Sequence, residues 1–297
     1  MSDSIAVTVP CRPDWGRMDP ADVDAGDVDA GDVDAGDVDA GDVDATNVEV
    51  FGVSSPGECV QLAQVLADVW GFSESSAVAS PDTLRAMAYS GSYLVGARLG
   101  GRLIGGGFGW PTYVDGEWRL HSHVVGFLDG YRALGLGARV KHHQRDWVRT
   151  NGLDAIEWTF DPLHAANARF NLAKLGASVV AFHNDFYGTL EDEFSAGLGS
   201  DRFVVRWGLD DEPRSLVEGS PRESILRVGH DGAPVATSAD SARLIAEIPR
   251  NIVEIRKTDT IRAIEWRDAF AATVGQVLID GATVVGITPD CAYLINR

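Results

Sequence analysis

The residues best suited to chemistry lie together in the middle of the 297-residue chain. Arg132, Gly135 and Gly137 have the spacing R-x-x-G-x-G within YRALGLGA, residues 131–138. An apolar run, Val124 to Leu128, reads as a strand before them, and the segment from Gly137 to about Thr150 has helical character. A tight strand-to-helix turn of this kind turns its main-chain N–H groups to one side. Glycine there lets the backbone come close to a ligand. The unpaired N–H groups and the helix dipole then favour an anion, most simply a phosphate or pyrophosphate. Just upstream, His121 and His123 share one strand face, because strand side chains repeat every two residues, and imidazole titrates in the range useful for proton transfer. Glu157, on the strand face opposite Ile156, Trp158 and Phe160, is a second candidate base. Packed or solvated side chains are the plain alternative for all three. No third ligand with metal spacing accompanies the histidine pair, so no metal is expected. His142, His143 and Asp146, on the helix after the turn, read as a solvated face.

Three glycine-rich readings compete for the turn. A Walker-type loop needs Gly, four residues, then Gly-Lys-Ser/Thr, which is not found here. The dinucleotide fingerprint G-x-G-x-x-G fails at its last position, where Val140 stands, although Glu157 and Asp161 lie near where a ribose-binding acid would fall. The turn also follows antiparallel-looking strands, whereas a Rossmann turn opens the first βαβ unit. The third reading adds a second motif. The strand AIEWTFD, residues 155–161, is followed by Asn167-Ala168 and then by Lys174-Leu175-Gly176.

Together these motifs resemble the GNAT superfamily of N-acetyltransferases. The runs LHSHVVGF, IEWTFDPLHAANARFNLAKLGA, NDFYG and SDRFVVRW look like one of its bacterial and archaeal subfamilies, over roughly the middle half of the chain. The fold this resemblance implies is α/β (α+β): a mixed, mostly antiparallel central sheet flanked by helices, here with a small C-terminal β-α-β-β extension. The implied activity is direct transfer of an acyl group from acetyl-CoA or another acyl-CoA to the amine of a small molecule such as an amino acid, succinylation included. In that reading Leu134, Gly135, Leu136, Gly137 and Ala138 hold the pyrophosphate through main-chain N–H groups. Arg132 adds charge, and Asn167 belongs to the second coenzyme motif. Main-chain groups of Val125, Phe127 and Leu128, on a splayed strand, meet the oxyanion. His123, His121 or Glu157 takes the proton of the ammonium acceptor. Arg202 and Arg206 could grip an acceptor carboxylate, or pair with nearby acids, and Trp158 lines the acceptor site. The family's usual tyrosine acid is absent: its position holds Leu172, and Ala177 stands where an aromatic is usual. Tyr187 is the nearest substitute, a structural tyrosine the alternative. A non-catalytic acyl-CoA-binding module therefore stays open as the second reading.

Composition narrows the partners. A net charge of −19 argues against nucleic acid, whose phosphates need a basic face. Lys141, Lys174 and Lys257 are the only lysines, and an acidic, lysine-poor surface suits a protein hydrated in concentrated salt. A halophilic source is the expectation, with a GC-rich genome as the other account of the arginine bias. Cys11, Cys59 and Cys291 are too scattered for a disulfide framework, and no apolar run reaches the ~18 residues of a membrane span. A cytoplasmic location without membrane partners follows by default; a homodimer is left open.

The elements that must position these residues read in order. Residues 21–45 are ADVDA and four copies of GDVDA, with one valine per repeat, and disorder is expected for 1–46. Their D-x-D-x-G pattern lacks the closing glutamate of a calcium loop. The main domain is placed at 47–208. Ser55-Pro56-Gly57-Glu58 and Ser80-Pro81 start two helices. Strands joined at Gly100-Gly101 and Asp115-Gly116 follow, and Gly105-Gly106-Gly107 marks a bulge or close approach. Residues 209–240 read as a linker or long loop. Residues 241–297 read as strand, helix, strand, strand, the helix carrying Ile261, Ile264, Phe270 and Val274.

Overall fold

Capping chemistry sets the first elements. The computed structural model describes residues 45–74, 78–132, 134–188, 199–214 and 221–297; the acidic repeats of 21–44 lie outside them. Strand β1 (Glu49–Gly52) leads to helix α1 (Pro56–Trp70), whose N-terminus is a full capping box between Ser55 and Glu58. Gly71, at φ 74°, ends it in the left-handed conformation that glycine adopts without strain. Ser80 caps α2 (Pro81–Tyr89) through its hydroxyl, which accepts the Thr83 N–H. The meander β2 (Tyr93–Leu99), β3 (Arg102–Val114) and β4 (Glu117–Phe127) follows. Helix α3 (Leu136–Thr150), β5 (Ala155–Phe160), the short α4 (Ala165–Ala168) with a wide π turn over Arg169–Lys174, β6 (Ser178–His183) and β7 (Arg202–Gly208) complete the layer.

These seven strands form one sheet in the order β1-β2-β3-β4-β5-β7-β6, antiparallel except for β4 beside β5. One face packs on α1 and α2 through Leu62, Leu66, Leu84, Leu94 and Phe108. The other packs on α3 and α4 through Val140, Val148, Ile156, Phe160 and Leu172. The expected mixed, mostly antiparallel sheet flanked by helices is thus the observed one. Among the described residues no helix is long and apolar enough to cross a membrane.

The C-terminal part is larger than a β-α-β-β unit. Strands β8 (Glu223–Val228) and β9 (Pro234–Ala236) fall within residues 209–240, read above as a linker. They join β10 (Arg243–Glu247), β11 (Thr283–Ile287) and β12 (Ala292–Asn296) in a second sheet, ordered β11-β12-β10-β8-β9. The Asp, Gly and Pro content that suggested a linker is the turn chemistry of the β8-β9 hairpin, where Gly229 N–H donates to Ala233 O. The single helix expected there is α5 (Ile252–Thr258) and α6 (Thr260–Phe270), the latter running through a π turn over Ala271–Gly275 into α7 (Gln276–Ile279). Its buried stripe is Ala263, Trp266, Phe270 and Val274; Ile261 is 73% exposed, so the stripe is rotated from the one the isoleucines suggested. Phe270 and Tyr293 meet Phe203 of β7 at centroid distances of 5.8 and 5.4 Å, which merges the two sheets into one core.

Candidate active site

The site begins where two parallel strands part. β4 and β5 pair only at Arg119↔Ala155, Leu120↔Ile156 and His121↔Glu157. Beyond that vertex β5 keeps its other partner β7 out to Phe160, while β4 stays on β3. A bulge sits at the same level: Gly109 faces Ser122 and Phe108 faces Val124, so His123 is an extra residue in β4. Glycines on β3 permit this close fit, since a Cβ on Gly107 would fall on the Val124 carbonyl and one on Gly109 on that of His121. Leu128 N–H donates to Ile104 O of β3. Backbone directions alternate along a strand, so the N–H groups of Val125 and Phe127 face the opening between β4 and β5. Of the three oxyanion candidates, Leu128 therefore has its N–H committed to the sheet.

The glycine turn lies at the mouth of this opening. Gly135, at φ 70°, is the N-cap of α3 and makes no side-chain cap. The Leu136 and Gly137 amides have no partner within the helix, whereas the Ala138 N–H, expected to hold the pyrophosphate, donates to Gly135 O at 3.0 Å and is committed to the turn. A Cβ on Gly137 would approach only Phe170 Cζ, at 3.8 Å, so packing within the chain does not require glycine there. That open cradle of N–H groups fits a pyrophosphate. Arg132 is turned away from it: Nε donates to Phe127 O at 3.2 Å, Nη2 to Val69 O at 3.3 Å, and Nη1 pairs with Asp129. Asn167 is exposed on α4, its N–H donating to His164 Nδ1, which caps that helix.

On the α1/α2 face the predicted acid–base residues come together. His121 and His123 stand 5.9 Å apart between ring centroids, and Trp110 lies 4.8 and 5.0 Å from them. Burial lowers the pKa of both, aided at His121 by the charge of Lys141 and at His123 by that of His121. His123 Nδ1 is buried without a hydrogen-bond partner. Glu157 is on the same face but committed, to Arg119 Nη1 at 3.3 Å and Arg206 Nη2 at 3.5 Å. Tyr187 OH is 3.1 Å from Thr159 Oγ1, and the Arg202 guanidinium lies 5.5 Å over its ring. Arg202 itself is buried and donates to Asp201 O.

Trp158 is on the opposite, α3/α4 face, where its Nε1 donates to Asn171 Oδ1 at 3.3 Å. There the structure holds a cluster that sequence reasoning missed. Lys141 of α3 is buried, with Nζ 3.7 Å above the Trp158 ring and 3.0 Å from Ser122 Oγ, which also accepts from Gln144 Nε2 at 2.9 Å. Burial lowers the Lys141 pKa to about 7. The signal was present: Lys141, Gln144 and Val148 share one helical face with i, i+3, i+7 spacing, and the buried face of the helix is apolar except for Lys141 and Gln144. His142 and His143 are also packed rather than solvated: His143 Nδ1 is 2.8 Å from Tyr93 OH, and His142 meets the Trp207 ring edge-on. Leu172, where the sequence resemblance places a tyrosine acid, is 2% exposed and belongs to the core. Among the described residues no group of three or more His, Cys, Asp and Glu could hold a metal.

No protein-family model matches the sequence, and no curated protein matches it. Solved structures of acetyltransferases do resemble it. A GNAT-family acetyltransferase from Streptococcus pneumoniae has 13% identity and a TM-score of 0.43, over 54% of this chain and 98% of that one. Arabidopsis thaliana Naa50, solved with the bisubstrate analogue CoA-Ac-MVNAL, has 20% identity and a TM-score of 0.43, over 54% and 97%. The ribosomal-protein-S5-alanine acetyltransferase of Vibrio fischeri has 14% identity and a TM-score of 0.43, over 57% and 96%.

Proposed function

We propose that this chain is an acyl-CoA-dependent N-acyltransferase of the GNAT type, acting on a small amine such as an amino acid. The observation that carries the reading is the vertex itself: a bulged β4, parted from β5 and followed at once by a glycine-capped helix N-terminus. The opening offers main-chain N–H groups of Val125 and Phe127 to a developing oxyanion. The α3 N-terminus supplies an anion cradle at its mouth, and Gly137 leaves room for the phosphates. His123 is the base: it lies on the acceptor face, is kept neutral near pH 7 by burial, and has an uncommitted Nδ1. Glu157, held by two arginines, fixes the strands instead. Arg202, beside Tyr187, is where an acceptor carboxylate would bind.

The test is release of free thiol from a panel of acyl-CoAs with and without amino acids, at high and low KCl. Amine-dependent release is expected, with the acyl group read from the preferred donor. The buried Leu172 favours the second reading, a binding module without catalysis. Calorimetric binding of CoA with no turnover for any donor would establish that reading in place of the first.

A further inference from the structure

We propose that Lys141, acting through the Ser122 hydroxyl, supplies the proton that the coenzyme thiolate takes up as it leaves. The inference rests on the acyl-donor reading above. An acyl-CoA anchored at the α3 N-terminus must reach the opening from the α3/α4 side, whereas the histidines and Trp110 border it from the α1/α2 side. The leaving sulfur therefore stays on the side of Lys141, and the position that gives other family members a tyrosine is buried Leu172.

Lys141 is poorly explained as structure. Its Nζ is buried, and no carboxylate lies within ion-pair distance among the described residues. A permanent charge there would be costly, and an apolar side chain would fill the same space without that cost. Burial gives it instead a proton that it can release near neutrality. Ser122 supplies the direction. It accepts N–H donors from both Lys141 and Gln144, which leaves its own O–H to be donated elsewhere. It sits beside the last β4-β5 pair, immediately before the bulged His123. The groups around the ammonium are Ser122 and His121 of β4, Trp158 of β5 and Gln144 of α3, with Asn171 behind the Trp158 indole. Of these, His121 alone is titratable, and burial, with the charge of Lys141, lowers its pKa.

The protons balance. The acceptor nitrogen loses one proton to His123 before it attacks, the C–N bond forms, and the C–S bond breaks with its electron pair on sulfur. Ser122 passes its hydrogen to that sulfur and is reprotonated by Lys141. His123 gives that first proton to solvent, takes the nitrogen's second as the intermediate collapses, and releases it to solvent in turn. Lys141 then recovers a proton from solvent, so that of the two protons lost, one is matched on the thiol and one remains in solution.

The experiment uses the full chain. Lys141→Met and Ser122→Ala are compared with wild type for CoA binding by calorimetry and for the pH profile of transfer. Nitrogen NMR of the lysine side chains, of which there are only three, titrates Lys141 directly. Wild-type turnover should fall as pH rises through about 7, where Lys141 loses its proton. Lys141→Met should bind CoA normally, lose roughly 10²–10⁴-fold in turnover, and lose that alkaline fall. In the NMR titration one lysine should titrate far below the other two and shift when CoA binds. If Lys141→Met fails to fold, the NMR titration and Ser122→Ala decide. A folded Lys141→Met with wild-type turnover and profile, or a Lys141 that titrates with the other lysines, overturns the assignment while leaving the acyl-donor reading standing. Failure of folded wild type to bind any CoA removes the acyl-donor reading, and this proposal with it.

Discussion

Replacing Arg267 by methionine tests how the C-terminal part is fastened to the main sheet. Arg267, 6% exposed, makes a bidentate pair with Asp161 at the end of β5, at 2.8 and 2.6 Å, and Asp161 Oδ1 also accepts the Leu163 N–H. Two unit charges about 4 Å apart attract by about 4 kcal/mol at an effective dielectric constant of about 20. Removing one partner of a buried pair typically costs about 3–5 kcal/mol, because the other charge is left desolvated. Methionine keeps the apolar stem, so the loss is electrostatic rather than a cavity. Urea unfolding at pH 7 should show a loss of about 3 kcal/mol or more, and the loss should persist in concentrated KCl because buried pairs are poorly screened. The pH dependence carries the sign. Burial alone would raise the Asp161 pKa, but Arg267 and the nearby Arg202 hold it below the usual carboxylate value. Its contribution is full above the unfolded value near 4 and is lost as pH falls through the lower folded value. In Arg267→Met the burial effect prevails and the folded pKa rises, so acidification protonates the carboxyl and relieves the defect. The gap between variant and wild type should therefore narrow toward pH 4. A gap below about 1 kcal/mol, or one that does not change with pH, would refute the reasoning.

Three further outcomes follow from the same geometry. Gly137→Glu places its Cβ in ordinary van der Waals contact with Phe170 and a carboxylate in the first turn of α3, so thermal unfolding should shift by less than about 1 kcal/mol in either direction while calorimetric CoA affinity falls more than about 100-fold. Burial lowers the pKa of His121, His123, His142, His143 and His164. These groups stabilise the fold above the unfolded histidine value near 6.5, and that stability should fall by about 1–3 kcal/mol as pH drops from 7 to 5, read as a falling urea midpoint. Glu157→Gln should lower stability by about 1–3 kcal/mol through Arg119, which is 3% exposed, yet keep the acidic limb of the transfer profile, whereas His123→Gln should abolish that limb.

The parts of this fold legible in the sequence are those written in local chemistry. Ser55-Pro56-Gly57-Glu58 specifies a helix start by itself, as do the hairpin turns at Gly100-Gly101 and Asp115-Gly116, whose φ angles are all positive. The strands at 223–228 and 234–236 were not legible, because short strands bounded by Asp, Gly and Pro look like loop until their partners are known: β10 in parallel register for the first, and the first itself, antiparallel, for the second. At the site, the glycine turn and the histidine face could be read from spacing. What each side chain is committed to could not. Arg132 and Glu157 carry the right charges for their expected roles, but their partners Val69 and Arg206 lie 63 and 49 residues away, and only the folded sheet brings them together. Lys141 was hidden for the opposite reason: a lysine next to His142 and His143 reads as surface, and its burial follows from the packing of α3 against Ser122 of β4 and Trp158 of β5.

The C-terminal part bears on the opening itself. β5 could remain beside β4 along its whole length, as parallel neighbours commonly do, and the opening would then close. Two long-range contacts pull the end of β5 the other way: Arg267 holds Asp161, and Tyr293 OH donates to Pro162 O at 2.6 Å. A third fixes the same edge, since Gly275 abuts Phe182 of β6 so closely that a Cβ would overlap the ring. The residues after β5 are thus held by α6 and β12, and β6 by the π turn, from the far side of β7. On this account the C-terminal part acts as an anchor that keeps β4 and β5 apart, so that weakening it at Arg267 should lower CoA affinity even though Arg267 pairs with Asp161 at the end of β5 and not with the glycine turn. Calorimetry on Arg267→Met under conditions where it remains folded checks this directly, and CoA affinity equal to wild type would assign the opening to β3, β4 and β7 alone.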